Sequence, residues 1–347
     1  MEKKSCDKCV RWLCGILFSA FAFCWFYFFQ RELLQAENGV LFSADNGLRI
    51  WMFNHHLVVS LFLTAIALLL AIPGRLLLRF KKGLYACNYL LSAAFLGVIT
   101  GYDGESVFGQ SLTVWIASGV FLFVLFLICK IVASVPKSEY NDRPRTLAGN
   151  LLILSLLFAI TSYLGNTEEN LHRRLRMEQL YNEGEYTRLL DYGRFEEETD
   201  PGIDLIRAKA LLELPSNDNP AGSQIGENLF KYSISDPKAL SRTIKRMDNE
   251  QAYLASCLLD GDLNAFADTI NLNAYGTLPN YYMQALVMLN DSTARVKFPK
   301  QFADEMSSYN SFRESLESLK SEPRQFQANS TFITYHESYY WFYTFKR

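Results

Sequence analysis

The sequence predicts an all-α membrane protein in two parts: a five-span transmembrane helical bundle, followed by an extracytoplasmic α-helical repeat domain. Three observations predict it. Five long apolar runs lack charged residues, cations gather between alternate runs, and the second half of the chain is polar, with apolar residues at three- and four-residue spacing. We place the transmembrane domain at residues 1–167 and the helical-repeat domain at residues 168–347.

The predicted spans are the stretches long enough to cross a bilayer. Crossing about 30 Å of hydrocarbon takes about 20 helical residues. Five stretches of that length contain no Asp, Glu, Lys or Arg, and they cover residues 12–30, 57–74, 84–102, 106–129 and 146–167. The third is the most dilute, because Asn88, Thr100 and several small residues interrupt it.

The Lys and Arg residues predict the orientation of the spans. Twelve of them precede the first span or lie in the second-to-third and fourth-to-fifth connections. The other two connections hold only Arg31 and Arg49. Because cations in short loops are retained in the cytoplasm, this alternation puts the N-terminus there. Five crossings then put residues 168–347 on the opposite side of the membrane.

The charge balance excludes some classes of function. Residues 1–166 carry 14 cationic and 9 acidic side chains, and the remaining residues carry 20 and 27. We expect no basic cluster outside the membrane edges and therefore no nucleic-acid partner. The spans hold no ionisable residue, so a transporter would lack a coupling route. Membrane lipids are the expected surroundings of the first half.

A low-contrast internal repeat predicts paired helices in the polar half. Each copy has a turn glycine, apolar residues shortly after it, and a proline that follows the second helix. The positions are Gly184, Tyr186 and Pro201 in one copy, and Gly261, Leu263, Phe266 and Pro279 in the other. A middle copy around Gly226 departs from the pattern. This order is typical of tetratricopeptide-like pairs, and an irregular helical bundle is the alternative.

Catalytic signatures are sparse. The sequence has no glycine-rich phosphate loop, GxSxG or HExxH motif, and we predict no cofactor and no metal site. One alternative concerns the loop after the first span, which carries Glu32, Glu37 and Asp45. Multi-span glycosyltransferases that use lipid-linked donors place an acidic residue in this loop. That alternative predicts a cavity that holds one of these carboxylates close to His55 or Arg49.

The C-terminal segment carries a family resemblance. The run LPNYYMQALVML at 278–289 and the ending HESYYWFYTFKR, after a multi-span first half, resemble uncharacterised inner-membrane proteins of Bacteroidetes with a tetratricopeptide-like C-terminal region. The resemblance implies a bacterial inner membrane and a periplasmic tail, and it transfers no catalytic residue. The aromatic run at 335–345 favours packing within the tail over membrane or ligand contact.

Two hypotheses follow from the sequence. The first is a non-enzymatic scaffold or adaptor, whose periplasmic helical-repeat domain binds a periplasmic or inner-membrane protein partner. The second is a membrane enzyme, or a shortened relative of one, that acts on a lipid-linked sugar in envelope biogenesis.

Overall fold

The computed structural model describes residues 2–34, 56–78, 84–101, 143–192, 200–216 and 223–346, together with six single positions between 116 and 127. The described residues are helical and contain no β-strand, only an isolated bridge between Pro215 and Ser223. The all-α prediction is therefore confirmed at this level. Packing divides the chain into a membrane unit, Met1–Leu175, and a helical unit, Arg176–Arg347.

The membrane unit contains four described α-helices. They are α1 (Glu2–Cys24, continued by the π-helix Trp25–Phe29), α2 (His56–Leu78), α3 (Leu90–Ile99, preceded by the 3₁₀ turn Ala86–Tyr89) and α4 (Arg143–Leu164). Three stretches are long and apolar enough to span a membrane, namely Lys8–Phe29, His56–Leu76 and Leu147–Leu164. The predicted first, second and fifth spans overlap them.

The predicted third and fourth spans are not among these three stretches. The third coincides with an apolar helix, Ala86–Ile99, that is shorter than the other three. Its four 3₁₀ residues and ten α-helical residues extend over about 23 Å. The predicted fourth span, 106–129, lies largely outside the described residues. The five-span prediction thus stays a prediction beyond the three helices that qualify.

The outer surface of the membrane unit is apolar. Within the three candidate spans 33% or less of the residues are buried inside the unit. Large side chains such as Trp12, Phe62 and Leu152 are more than half exposed. A patch of this size exposed to water is rare in soluble proteins, whereas hydrocarbon solvates it without cost. The exposed surface therefore favours lipid as the surroundings.

α3 and α4 run parallel to each other. Near their starts, the amide N of Ala86 donates to Oδ1 of Asn150 over 2.8 Å. Past their ends, the amide N of Asn166 donates to the carbonyl O of Thr100 over 2.6 Å. Between these points, the Gly97 Cα lies so close to Leu164 that a Cβ would be 2.5 Å from its Cβ. α3 therefore lies alongside the part of α4 that begins at Asn150.

α1 shares the direction of α3 and α4. The rings of Phe21 and Phe158, each in the C-terminal half of its helix, stack with centroids 3.9 Å apart. At the end of the first span, Nε1 of Trp25 donates to Oγ1 of Thr100 over 3.3 Å. Gln30, one turn further, reaches Asn166. The C-terminal ends of α1, α3 and α4 consequently meet at one end of the unit.

α2 runs in the opposite direction. The ring of His56, its first residue, stacks on Tyr27 near the end of the first span, with centroids 4.8 Å apart. Near its other end, a Cβ on Gly74 would lie 2.5 Å from the carbonyl O of Asn88, just before α3. The chain thus goes along the unit in α1, returns in α2 and goes along it again in α3.

Residues 102–142 connect α3 to α4. α3 ends beside the end of α4, whereas α4 begins at Arg143, about 30 Å away at helical rise. The apolar run 106–129 lies in this stretch. The described positions within it are helical and exposed, and the large apolar ones among them are Ile116, Val120, Phe123, Val124 and Leu127.

The helical unit contains twelve described α-helices, counting α5, which begins in the membrane unit. They are α5 (Glu169–Asn182), α6 (Tyr186–Asp191), α7 (Pro201–Glu213), α8 (Ile225–Asn228), α9 (Pro237–Ile244), α10 (Glu250–Asp260), α11 (Leu263–Thr269), α12 (Asn280–Leu289), α13 (Ser292–Lys297), α14 (Pro299–Ser318), α15 (Arg324–Tyr335) and α16 (Tyr339–Phe345). Its core is separate from that of the membrane unit.

α12 lies at the centre of the helical unit. Every residue from Tyr281 to Val287 is buried, so all faces of the helix are covered. It packs against α8, α11, α14 and α16. The last of these contacts is anchored by Tyr339, whose amide N donates to Oε1 of Gln284 over 2.7 Å and whose hydroxyl donates to the carbonyl O of Leu258 over 2.9 Å. The terminal aromatic run therefore serves packing, as the sequence favoured.

Three turns between helices share one backbone conformation. The described residues other than these have no positive φ, and the three are Gly184 (φ 75°), Gly261 (φ 68°) and Asn290 (φ 54°). In each turn, the amide after this residue donates to a carbonyl five positions earlier, as in a Schellman cap. The two turn glycines of the predicted repeat are thus found as expected. The sequence did not predict the third turn, because Asn290 occupies the position that Gly takes in the other two.

The proposed middle copy around Gly226 is wrong. Gly226 lies inside α8 rather than in a turn. A Cβ there would lie 2.8 Å from Cζ of Tyr282 and 2.9 Å from Cβ of Pro279, so the glycine allows α8 to approach α12 closely. The three turns are 77 and 29 residues apart, and each joins a helix of ten or more residues to one of six or seven. A tetratricopeptide-like stack stays a prediction.

Replacing Gly226 with Ala should destabilise the helical unit by about 1–3 kcal/mol, because the new methyl group overlaps buried Tyr282. Gly276→Ala is the matched control, since no atom lies within 4 Å of its Cβ position. Urea unfolding of residues 168–347, followed by the fluorescence of buried Trp341, measures both. Equal stability of the two variants would contradict the close packing of α8 on α12.

Candidate functional site

The polar residues of the membrane unit meet around Asn166. This residue follows α4 and is buried. Its carbonyl O accepts from Nε2 of Gln30 over 3.1 Å and lies 3.0 Å from Nε2 of His172. Its Oδ1 accepts from the amide N of Glu168 over 2.8 Å. Asn166 therefore joins the end of the first span to the start of α5.

Gly165 makes this junction possible. A Cβ at this position would lie 2.6 Å from both Oγ1 of Thr100 and Cζ2 of Trp25. Thr100 in turn donates its hydroxyl to the carbonyl O of Leu96 over 2.9 Å. The glycine lets the chain pass between two side chains, so that Asn166 can reach the backbone of Thr100.

Glu32 and His172 form a half-buried acid–base pair beside this junction. Nδ1 of His172 lies 3.9 Å from Oε2 of Glu32, and both side chains are less than a quarter exposed. Because the Asn166 carbonyl can only accept, Nε2 of His172 carries a hydrogen. The Glu32 carboxylate raises the pKa of His172, burial opposes this, and the Asn166 carbonyl adds to the rise. A proton gained by His172 therefore goes to Nδ1, facing Glu32.

This cluster contains one of the three carboxylates that the sequence singled out. Glu32 lies near His172 on α5, a partner 140 positions away. The alternative hypothesis expected it close to His55 or Arg49, and that expectation stays a prediction. Glu37, Asp45, Arg49 and His55 lie outside the described residues. One buried atom of the cluster has no hydrogen-bond partner, namely Oε1 of Gln30. The pair could hold or transfer a proton at the end of the spans.

The residues of the predicted repeat lie in the core, in turns or at the starts of helices. Leu263 and Phe266 are buried in the core, and the Tyr186 ring lies 5.4 Å from that of Tyr181. Pro201 is the first residue of α7, where Asp200 caps the helix, and Pro279 immediately precedes α12. These residues shape turns and helix starts. Within the described ranges, no group of three His, Cys, Asp or Glu residues could hold a metal ion.

A basic cluster on the helical unit was missed at the sequence level. Lys238 and Arg242 of α9, with Leu259 and Asp260 of α10, line an open cavity of about 660 Å³. Four cations and no acidic residue lie between positions 237 and 246, so the expectation of no basic cluster away from the membrane edges is wrong. The three- and four-residue spacing of these cations predicts that they share one face of a helix. The net negative charge of this half of the chain does not show such a local cluster.

Comparison of the chain with protein-family models, with curated proteins and with solved structures finds no match.

The pairing of Glu32 with His172 predicts a pH-dependent stability. With its folded-state pKa raised, His172 stabilises the unit fully below about pH 6.5, and this contribution is lost as pH rises through the raised value. NMR titration of the His ring signals of the full-length protein in nanodiscs should give a His172 midpoint above 6.5, and Glu32→Gln should lower it. Glu169→Gln, on an exposed carboxylate paired with Arg173, is the control. A midpoint that responds equally to both variants contradicts the pairing.

Proposed function

We propose that the protein is a membrane-anchored scaffold or adaptor, whose helical unit binds a protein or peptide partner. One observation carries this proposal. A unit with an apolar outer surface and three candidate spans is followed in the same chain by a helical unit with its own extensive core. The first fits a lipid environment, and the second has the size and separate packing of an independent domain.

The proposed topology has an odd number of spans, with the N-terminus in the cytoplasm and the helical unit in the periplasm of a bacterial inner membrane. Two independent features support an odd number. Cations gather at alternate connections, and α1, α3 and α4 point the same way, as expected if the first and last spans cross in the same direction. The resemblance to Bacteroidetes inner-membrane proteins supports the bacterial placement.

The proposed mechanism is recognition by paired helices. Stacked helix pairs of the tetratricopeptide-like kind present an extended concave surface to a peptide or helix. The shared conformation at Gly184, Gly261 and Asn290 supports repeated helix–turn–helix units. Anchoring confines the partner near the membrane and raises its effective concentration for a second binding event.

Site-specific photo-crosslinking in native membranes tests this proposal. A photoreactive residue replaces Val296 or Ile333, which are more than four-fifths exposed on the helical unit, or Phe62 on the outer surface of α2. We expect the first two positions to give adducts with one recurring protein, and Phe62 to give lipid adducts. Absence of a protein adduct from exposed positions all over the helical unit would refute the scaffold.

The second candidate is a membrane enzyme, or a shortened relative of a glycosyltransferase, that acts on a lipid-linked sugar in envelope biogenesis. The Glu32–His172 pair favours it, because a carboxylate beside an imidazole can serve general acid–base catalysis. This candidate predicts that Glu32→Gln and His172→Gln alter the envelope glycans, whereas Glu169→Gln does not. An unchanged glycan profile for all three variants would leave it without a site.

A further inference from the structure

Four cations follow one face of α9 and the turn after it. Lys238, Arg242, Lys245 and Arg246 are all exposed, and their spacing of four, three and one residues keeps them on one side of the helix. The opposite side, with Leu240 and Ile244, is buried against α10 and α7. Burial of that side fixes the direction in which the cations point.

These cations have no neutralising partner among the described residues. No described carboxylate lies within 4.0 Å of any of the four. Nε of Arg242 donates to the carbonyl O of Lys238 over 3.1 Å, and Nζ of Lys245 lies 5.6 Å from the centre of the Tyr253 ring. Their charges are available to a ligand. The half of the chain that contains them is acidic overall, with 27 acidic against 20 cationic residues.

Four different chemical groups line the cavity beside this face. Lys238 contributes an ammonium group, Arg242 a guanidinium group, Leu259 an aliphatic side chain and Asp260 a carboxylate. The two cations can pair with carboxylates, and the guanidinium can do so through two parallel hydrogen bonds. The carboxylate of Asp260 can only accept, so it requires a donor such as a peptide N–H or an ammonium group.

We propose that this cavity binds an acidic peptide segment, which places carboxylate side chains on Lys238 and Arg242 and donates a backbone N–H to Asp260. The proposal rests on the scaffold function and names the chemistry of its partner. Alternate side chains of an extended peptide lie about 6.6 Å apart on one face, close to the 5–6 Å that separates helical positions four residues apart. A segment with acidic residues at every second position therefore matches Lys238 and Arg242.

The charge of the surrounding unit adds specificity. The net negative charge of this half of the chain disfavours an acidic peptide elsewhere, and the cationic face of α9 attracts it to the cavity. A bilayer of anionic lipids is planar and does not enter a cavity. Inorganic phosphate could pair with the cations, but it has no apolar group for Leu259. A peptide uses all four lining residues.

Fluorescence anisotropy with the full-length protein in phosphatidylcholine nanodiscs tests the proposal. The probe is a labelled short peptide with Glu at alternate positions, and its control has Gln in place of Glu. We expect the double variant Lys238→Gln/Arg242→Gln to bind the Glu peptide roughly tenfold more weakly, since two exposed ion pairs are lost. The matched double variant Lys300→Gln/Arg313→Gln removes two exposed cations from α14 and should bind like the wild type.

Several outcomes would overturn the inference. They are an equal loss in both double variants, equal binding of the Gln peptide, or binding of anionic nanodiscs through these cations without binding of the peptide. Crosslinking separates this site from the scaffold function. A partner still captured by the Lys238→Gln/Arg242→Gln variant would overturn this site and leave the scaffold in place. Peptide binding without any captured partner would support the site and refute the scaffold.

Discussion

The parallel packing of α3 on α4 is the constraint on which the rest of the membrane unit depends. Two hydrogen bonds that involve Asn residues maintain this packing. Oδ1 of Asn150 accepts from the backbone N of Ala86 at one end, and the backbone N of Asn166 donates to the carbonyl O of Thr100 at the other. A polar group buried in an apolar bundle is costly without a hydrogen bond. Sliding the helices by one turn would break both bonds. The register is therefore specific.

The junction at Asn166 also positions the acid–base pair of the membrane unit. Asn166 connects the first span, α3 and the start of α5, and this brings Glu32 beside His172. Beyond it, the helical unit closes around α12 with the help of its last helix, α16. Aromatic residues that could have bound a sugar are occupied in packing. This packing favours recognition of a partner at the exposed surface over binding in an aromatic cleft.

Composition and spacing predicted the helical class, the three qualifying spans and the glycine turns at Gly184 and Gly261. These features depend on local sequence, and the periodicity of apolar residues records them. The pairing of Glu32 with His172 could not be predicted, because 140 residues separate them and only packing brings them together. Gly226 resembled a turn glycine since sequence does not distinguish a left-handed turn from a close helix contact. The third turn was missed because Asn290 can also adopt that conformation.

The central claim is that the chain crosses the bilayer between α3 and α4. The most direct test introduces single cysteines at Asp103 and Asn141, on either side of the apolar run 106–129, into a cysteine-free protein in intact spheroplasts. A membrane-impermeant maleimide should label Cys at position 103 directly, and it should label Cys at position 141 only after the membrane is permeabilised. Labelling of both positions from the same side would contradict the return crossing and, with it, the placement of the helical unit opposite the N-terminus.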